Sequence, residues 1–190
     1  GDIDPFIALG QKFEEEGHEV AYAFPEQLSF LVPPKNNHYA LSPIIIELIE
    51  GEHGRTVMGK AKPWTKMRSL WFLYCQGQKA NTTIAQQHLD AITLENPDVI
   101  ICNPKCSFPT LWSLAFDRPQ IILSPVPYVI HYVKGHAHIG FGRNHGKWIN
   151  KLSYWISNFG LSKTICKAAH SLPKRFQFSR KVIHERLLQS

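Results

Sequence analysis

Apolar positions recur along the chain in two rhythms, one at helical spacing and one in short unbroken runs. Phe6, Leu9 and Phe13 stand at helical spacing behind Asp4-Pro5, a good helix start, with Asp accepting orphan N–H groups and Pro suited to N1. Gly17 is the natural stop. Residues 19–24 then alternate as a strand closed by Pro25, followed by a short helix over 26–32, a turn over 33–37 and a short strand over 39–41. Residues 44–49 and then 64–94 read as helices, the second long and carrying Met67, Trp71 and Tyr74 towards a core. Between them, the Gly- and charge-rich residues 51–62 predict a mobile loop.

Residues 97–102 and 119–123 are apolar runs bounded by turn residues, and 108–116 between them has helical spacing. Such a series predicts buried parallel strands joined by a crossover helix. The expected fold class is therefore α/β, a doubly wound Rossmann-like parallel sheet with helices on both faces and 20–24, 99–102 and 121–123 among its strands. After Ser124-Pro125-Val126-Pro127 comes a stretch rich in Gly, His and Tyr, reaching Gly142. Trp148, Leu152, Trp155, Ile156 and Phe159 then form a stripe on a basic helix, with further helices over 162–169 and 179–188. The stripe is expected to face the interior, as amphipathic stripes ordinarily do; a membrane-surface helix flanked by Lys147 and Lys151 is the alternative. One domain over 1–190 is expected, with its core in 1–142 and a basic helical region over 143–190.

Composition sharpens this in three places. With 190 residues, 44% hydrophobic, the chain is long enough for one substantial core, and no apolar run is long enough to cross a membrane. The net charge of +6 hides a division: residues 1–133 carry −4 and residues 134–190 carry +10, with Glu185 the only acid in the latter stretch. That asymmetry suits an anionic partner for the C-terminal third, whether a membrane surface, a nucleic acid or an acidic domain. Cys75, Cys102, Cys106 and Cys166 are too few and scattered for a disulfide framework or a zinc site, which fits a reducing, cytoplasmic setting. Asn81-Thr82-Thr83 matches a glycosylation acceptor but falls within a predicted helix and is read as chance.

Gly1-Asp2-Ile3-Asp4-Pro5, followed by Gly17-His18-Glu19-Val20, resembles the opening of the sterol and antibiotic glycosyltransferase family, the UDP-glycosyltransferase-like proteins of GT-B fold. In that family a buried strand runs into a Gly-Asp-x-x-Pro loop, a helix and a Gly-His-x-Val strand start. The likeness continues through Pro97-Asp98-Val99-Ile100-Ile101 and Ile122-Leu123-Ser124-Pro125 and becomes loose after about residue 135. It implies the N-terminal, acceptor-binding half of a GT-B fold. The family's first strand and its donor-binding domain have no counterpart here, and Asp4 stands where relatives often carry an amide or glutamate. The expectations are a gap in the sheet or another segment filling it, and no sugar transfer by the chain alone.

The resemblance makes Asp2 the catalytic base, which takes a proton from the acceptor hydroxyl as it attacks the anomeric carbon with inversion. Gly1 would let the backbone turn tightly beside the ligand, and Tyr128, His131 and Tyr132, after the run ending at Leu123, would line the acceptor cleft. No cofactor or metal is expected, the nucleotide-diphosphate sugar being a donor substrate bound mainly by the other domain. His131, His136, His138 and His145 invite a metal reading, but no carboxylate lies among residues 128–147 and the histidines are better read as cleft or surface groups.

The expected partners are a hydrophobic small-molecule or lipid acceptor, a donor-binding domain or subunit, and a membrane touched peripherally through residues 134–190. The alternative is a non-catalytic acceptor-binding or membrane-docking subunit that recruits a separate donor-binding chain. A nucleic-acid partner is not expected, since the basic residues are dispersed over several helices without a recognised motif. A dinucleotide-dependent oxidoreductase is excluded because no Gly-x-Gly-x-x-Gly opens a helix.

Overall fold

Helix α1 (Asp4–Glu15) begins at the Asp4-Pro5 pair, though Ile3 holds the N-cap position and Asp4 falls in the first turn, where its charge suits the positive end of the helix. The chain leaves α1 through Gly17, whose φ of +90° is the left-handed conformation that glycine adopts without strain. Gly17 N–H donates to Glu14 O and His18 N–H to Phe13 O, both at 3.0 Å. Phe13 and His18 meet edge to face at 5.7 Å, completing a Schellman stop. This computed structural model describes residues 3–125, 127, 129–141 and 144–190. They fall into two compact units, Gly1–Ala91 and Ile92–Ser190.

In the first unit, strands β1 (Tyr22–Pro25) and β2 (His38–Leu41) pair in parallel, Tyr22 opposite His38 and Pro25 opposite Leu41, joined through a 3-10 turn over Glu26–Leu31. Tyr22 is buried against α1 at Gly10, where a Cβ would run into the phenol ring and hydroxyl. Glu14 holds the β1–β2 connection: it accepts from the Asn36 amide and pairs with Lys35 at 3.0 Å, and these contacts keep its carboxyl below the ordinary value. Asn36 also donates to Val20 O at 2.9 Å.

Helices α2 (Ile44–Glu50) and α3 (Glu52–Met58) follow, and then α4 (Pro63–Glu95). Where 51–62 was expected to be a loop, α3 forms. Gly54 is what permits it, because any Cβ there would overlap the Ile49 carbonyl across the α2–α3 corner. In α4 the buried residues include Ser69, Ala80, Ile84, Ala85, His88, Leu89, Ala91 and Ile92. Met67, Trp71 and Tyr74, expected to point inward, are exposed together with Trp64 and Leu70. The sequence periodicity of that stripe is real, but the described residues bring nothing to cover it.

The second unit opens with a βαβ segment. β3 (Ile100–Cys102) and β4 (Gln120–Ile122) pair in parallel, Ile100 opposite Gln120 and Cys102 opposite Ile122, with α5 (Pro109–Phe116) crossing between them. Pro109, Thr110, Leu111, Trp112 and Ser113 of α5 are all buried, and Asp117 ends the helix in the left-handed region. After β4 come a 3-10 turn over Ile139–Phe141 and then α6 (Lys147–Ala169) and α7 (Arg180–Gln189), which pack on each other while α7 also packs on α5. Residues 162–169, expected as a separate helix, continue α6 without a break.

The doubly wound, Rossmann-like parallel sheet is not what forms. The fold is mixed α and β but mostly helical, and its strands make two separate two-stranded parallel sheets, β1–β2 and β3–β4. The runs at 20–24, 99–102 and 121–123 do mark strand positions, and their pairing is parallel. The physical reason for the difference is that a buried apolar run specifies a strand without specifying which strand lies along each of its edges. Between β2 and β3 the chain is helical throughout α2, α3 and α4, and among the described residues no strand pairs with both sheets.

Candidate functional site

The segment after β4 is held in place by polar side chains on the inward face of α6, which they share with Tyr154, Ile165, Ala168 and Ala169. Asn150, Ser153, Asn158 and Ser162 are all buried. The Asn150 carboxamide accepts from His145 N–H and donates to Asn144 Oδ1, both at 2.9 Å. Ser153 Oγ accepts from His138 N–H at 2.8 Å and donates to Asn150 O at 2.6 Å. Asn158 Nδ2 donates to Ile130 O at 2.9 Å, and Ser162 Oγ back-bonds to Asn158 O at 2.8 Å. Backbone groups of an irregular segment would otherwise be buried without partners, and here side chains of α6 supply them.

The clamp gathers an aromatic cluster. Tyr154 is buried and meets Tyr132 edge to face at 5.5 Å and His138 at 5.7 Å. Lys151 Nζ lies 5.6 Å from the centre of the Tyr132 ring, within cation–π range. Burial pushes the His138 ring below its ordinary value, opposed by a hydrogen bond with the Val129 backbone. A neutral imidazole there can donate or accept one hydrogen bond without bringing a charge into the cluster.

Of the residues singled out from sequence, Tyr132 belongs to this cluster, half-buried, and His131 beside it is exposed. Gly1, Asp2 and Tyr128 lie outside the described residues. His136 and His145 are exposed, and His145 Nε2 is 3.3 Å from Phe141 O. Among the described residues no three His, Cys, Asp or Glu side chains converge as metal ligands. Asn150, Ser153, Asn158 and Ser162 went unnoticed in the sequence, although their helical spacing on one side of α6 was a usable signal.

Cys102 and Cys106 differ in kind. Cys106 is exposed, whereas burial pushes the Cys102 thiol up to about 12, so it is no nucleophile near neutrality. It accepts from Gln120 Nε2 at 3.2 Å, and the same amide is 3.0 Å from Thr110 Oγ1, which makes Cys102 part of the polar interior of the βαβ segment. A separate open depression of about 440 Å³ in the first unit is lined by Glu52, Arg55, Thr56, Gly59, Lys60 and Ala61, none of which was singled out for chemistry.

The outward face of α6 is apolar. Trp148 is 82% exposed and Trp155 59%, with Ile149, Leu152 and Ile156 exposed beside them. The stripe expected to pack into the core therefore faces away from it. Among the described residues no helix is long and apolar enough to cross a membrane. No family model matches the chain, and no curated protein does either.

Proposed function

We propose that the chain is the acceptor-binding part of an inverting glycosyltransferase, which moves a sugar from a nucleotide-diphosphate donor to a hydroxyl of a hydrophobic acceptor such as a sterol, glycolipid or aglycone. The observation that carries this is the Gly1-Asp2-Ile3-Asp4-Pro5 sequence, whose Asp4-Pro5 opens α1, with Gly17-His18-Glu19-Val20 leading out of the helix towards β1. In this reading Asp2 takes the acceptor's hydroxyl proton. The acceptor oxygen then bonds to the anomeric carbon as the bond to the diphosphate breaks, and the electron pair leaves on the nucleotide. Donor binding falls to another domain or subunit. In this reading half-buried Tyr132 and exposed His131 meet the acceptor, the Tyr132 ring packing against hydrocarbon and the imidazole meeting a hydroxyl.

Asp2→Asn in the intact transferase should lower kcat by about 10²–10⁴-fold and leave acceptor binding nearly unchanged, because the carboxylate acts on the proton in the transition state. The 190-residue chain by itself should bind acceptor without turning over any nucleotide sugar. A variant that keeps most of its rate would remove Asp2 from the mechanism. Turnover by the isolated chain would overturn the division of labour.

A further inference from the structure

Helix α6 departs from an ordinary surface helix: polar side chains share its buried side with Tyr154, Ile165, Ala168 and Ala169, while large apolar side chains stand on its exposed side. Its buried side carries Asn150, Ser153, Asn158 and Ser162, each hydrogen-bonded. Its exposed side carries Trp148, Ile149, Leu152, Trp155 and Ile156. The helix cannot roll to hide the apolar side without breaking the polar contacts that hold the segment from Ile130 to His145, so the outward orientation is fixed by the fold. A contiguous apolar face of this kind marks an interaction surface.

Charge identifies what covers it. No acidic residue occurs in α6, and exposed Lys147, Lys151, Lys163 and Lys167 accompany the apolar face. Arg180 of α7 stacks on Phe159 at 4.3 Å, adding a guanidinium at the C-terminal end of the stripe. Residues 134–190 as a whole carry +10. A second copy meeting it through the same helix would bring the same positive charge to the contact and repel it. Tryptophans set among lysines, on a helix lying along a surface, match the boundary between headgroups and acyl chains of an anionic bilayer.

We propose that the outward face of α6 is a membrane-docking surface, on which Trp148, Leu152 and Trp155 enter the acyl boundary of an anionic lipid bilayer while Lys147, Lys151 and Lys163 meet the headgroups. The helix lies in the plane of the surface and does not span it. This inference stands on the geometry and charge of α6 and is independent of the sugar-transfer reading.

The test is co-flotation of the whole 190-residue chain with vesicles of phosphatidylcholine alone or with about three parts in ten phosphatidylserine. Binding to the anionic vesicles at low salt should be at least about tenfold tighter than to the neutral ones and should weaken as salt is added. The double variant W148S/W155S should lose about tenfold or more in affinity with an unchanged thermal melt, both residues being exposed. K147Q/K163Q should lose about fivefold per charge on anionic vesicles alone. W64S/W71S, which alters the exposed stripe of α4, should keep the binding. Four results would overturn the proposal: no binding to anionic vesicles at low salt; equal binding to both vesicle types; loss through W64S/W71S but not W148S/W155S; or a dimer in solution that W148S/W155S dissolves, which would give the face to a second copy.

Discussion

Replacing Asn158 probes the clamp between α6 and the segment after β4 most directly. Its Nδ2 donates to Ile130 O at 2.9 Å, and both residues are buried. In Asn158→Ala the Ile130 carbonyl loses its protein donor, and leaving a buried polar group unsatisfied costs about 1–3 kcal/mol. Asn158→Asp makes a sharper test because it keeps the shape and reverses the hydrogen bond. At pH 7 an ionised carboxylate would face a carbonyl oxygen, acceptor against acceptor, in a buried site, so the cost should exceed that of the alanine variant. A carboxyl placed there has its folded pKa raised above the unfolded value. The folded state then binds the proton more tightly, and stability relative to the alanine variant should rise as pH falls from 7 to 4. The protonated acid can donate to Ile130 O and restore part of the contact. Urea unfolding at both pH values measures this. The clamp would be refuted if Asn158→Ala stayed within about 0.5 kcal/mol of wild type, or if Asn158→Asp cost no more at pH 7 than at pH 4.

Two further outcomes follow from the first unit. Gly10→Ala should destabilise by about 1–3 kcal/mol through overlap with Tyr22, although helix propensity alone favours alanine by about 1 kcal/mol. Adding Tyr22→Phe should return part of the loss, since the hydroxyl is the nearest atom; a Gly10→Ala variant more stable than wild type in a thermal melt would contradict the packing. His88 is buried with Nδ1 2.8 Å from Ile84 O, and burial pushes its pKa below 6.5. The unfolded chain therefore takes up a proton first as pH falls below 6.5, and the stability of wild type relative to His88→Gln should shrink between pH 7 and pH 5. A difference constant across that range in denaturant titrations would show that His88 does not titrate as its burial requires.

Local chemistry was the most legible part of the sequence. Gly17 ends α1 through a stop whose hydrogen bonds span five residues, and Asp4-Pro5 begins the helix, because both signals act within one turn. The runs read as strands at residues 99–102 and 121–123 fall on β3 and β4 to within a residue at each end. The extent of the sheet was not legible. Ladder partners are chosen by distant segments, and three- or four-residue strands such as β2 and β4 carry too little pattern to name theirs. The stripe on α6 failed differently: periodicity shows that Trp148, Leu152 and Trp155 share a side, and says nothing of whether protein or another medium covers it. What fixes the answer is the opposite side, where Asn150, Ser153 and Asn158 find backbone partners 15 and 28 residues away as well as three and five residues away. Of the candidate site, His131 and Tyr132 could be placed near one another from sequence adjacency, whereas the partnership of Tyr132 with Tyr154 needed the fold.

The β3–α5–β4 segment also sets an order of assembly. Its ladder joins residues twenty apart, and Ser113, fully buried at the end of α5, receives Arg118 N–H at its carbonyl and donates its hydroxyl to Arg118 O at 2.6 Å, closing the turn into β4. The Ser113–Arg118 contacts close over five residues and those of Asn158 with Ile130 over 28, so the α5–β4 turn can form before the clamp. Refolding after a rapid denaturant jump should then show Ser113→Ala slowing the folding rate, whereas Asn158→Ala chiefly speeds unfolding. The reverse pattern would place the nucleus at the clamp. On the expected order, the βαβ segment is the template and the clamped segment is laid down on it late, which makes that segment the first part of the unit to be released when the protein unfolds.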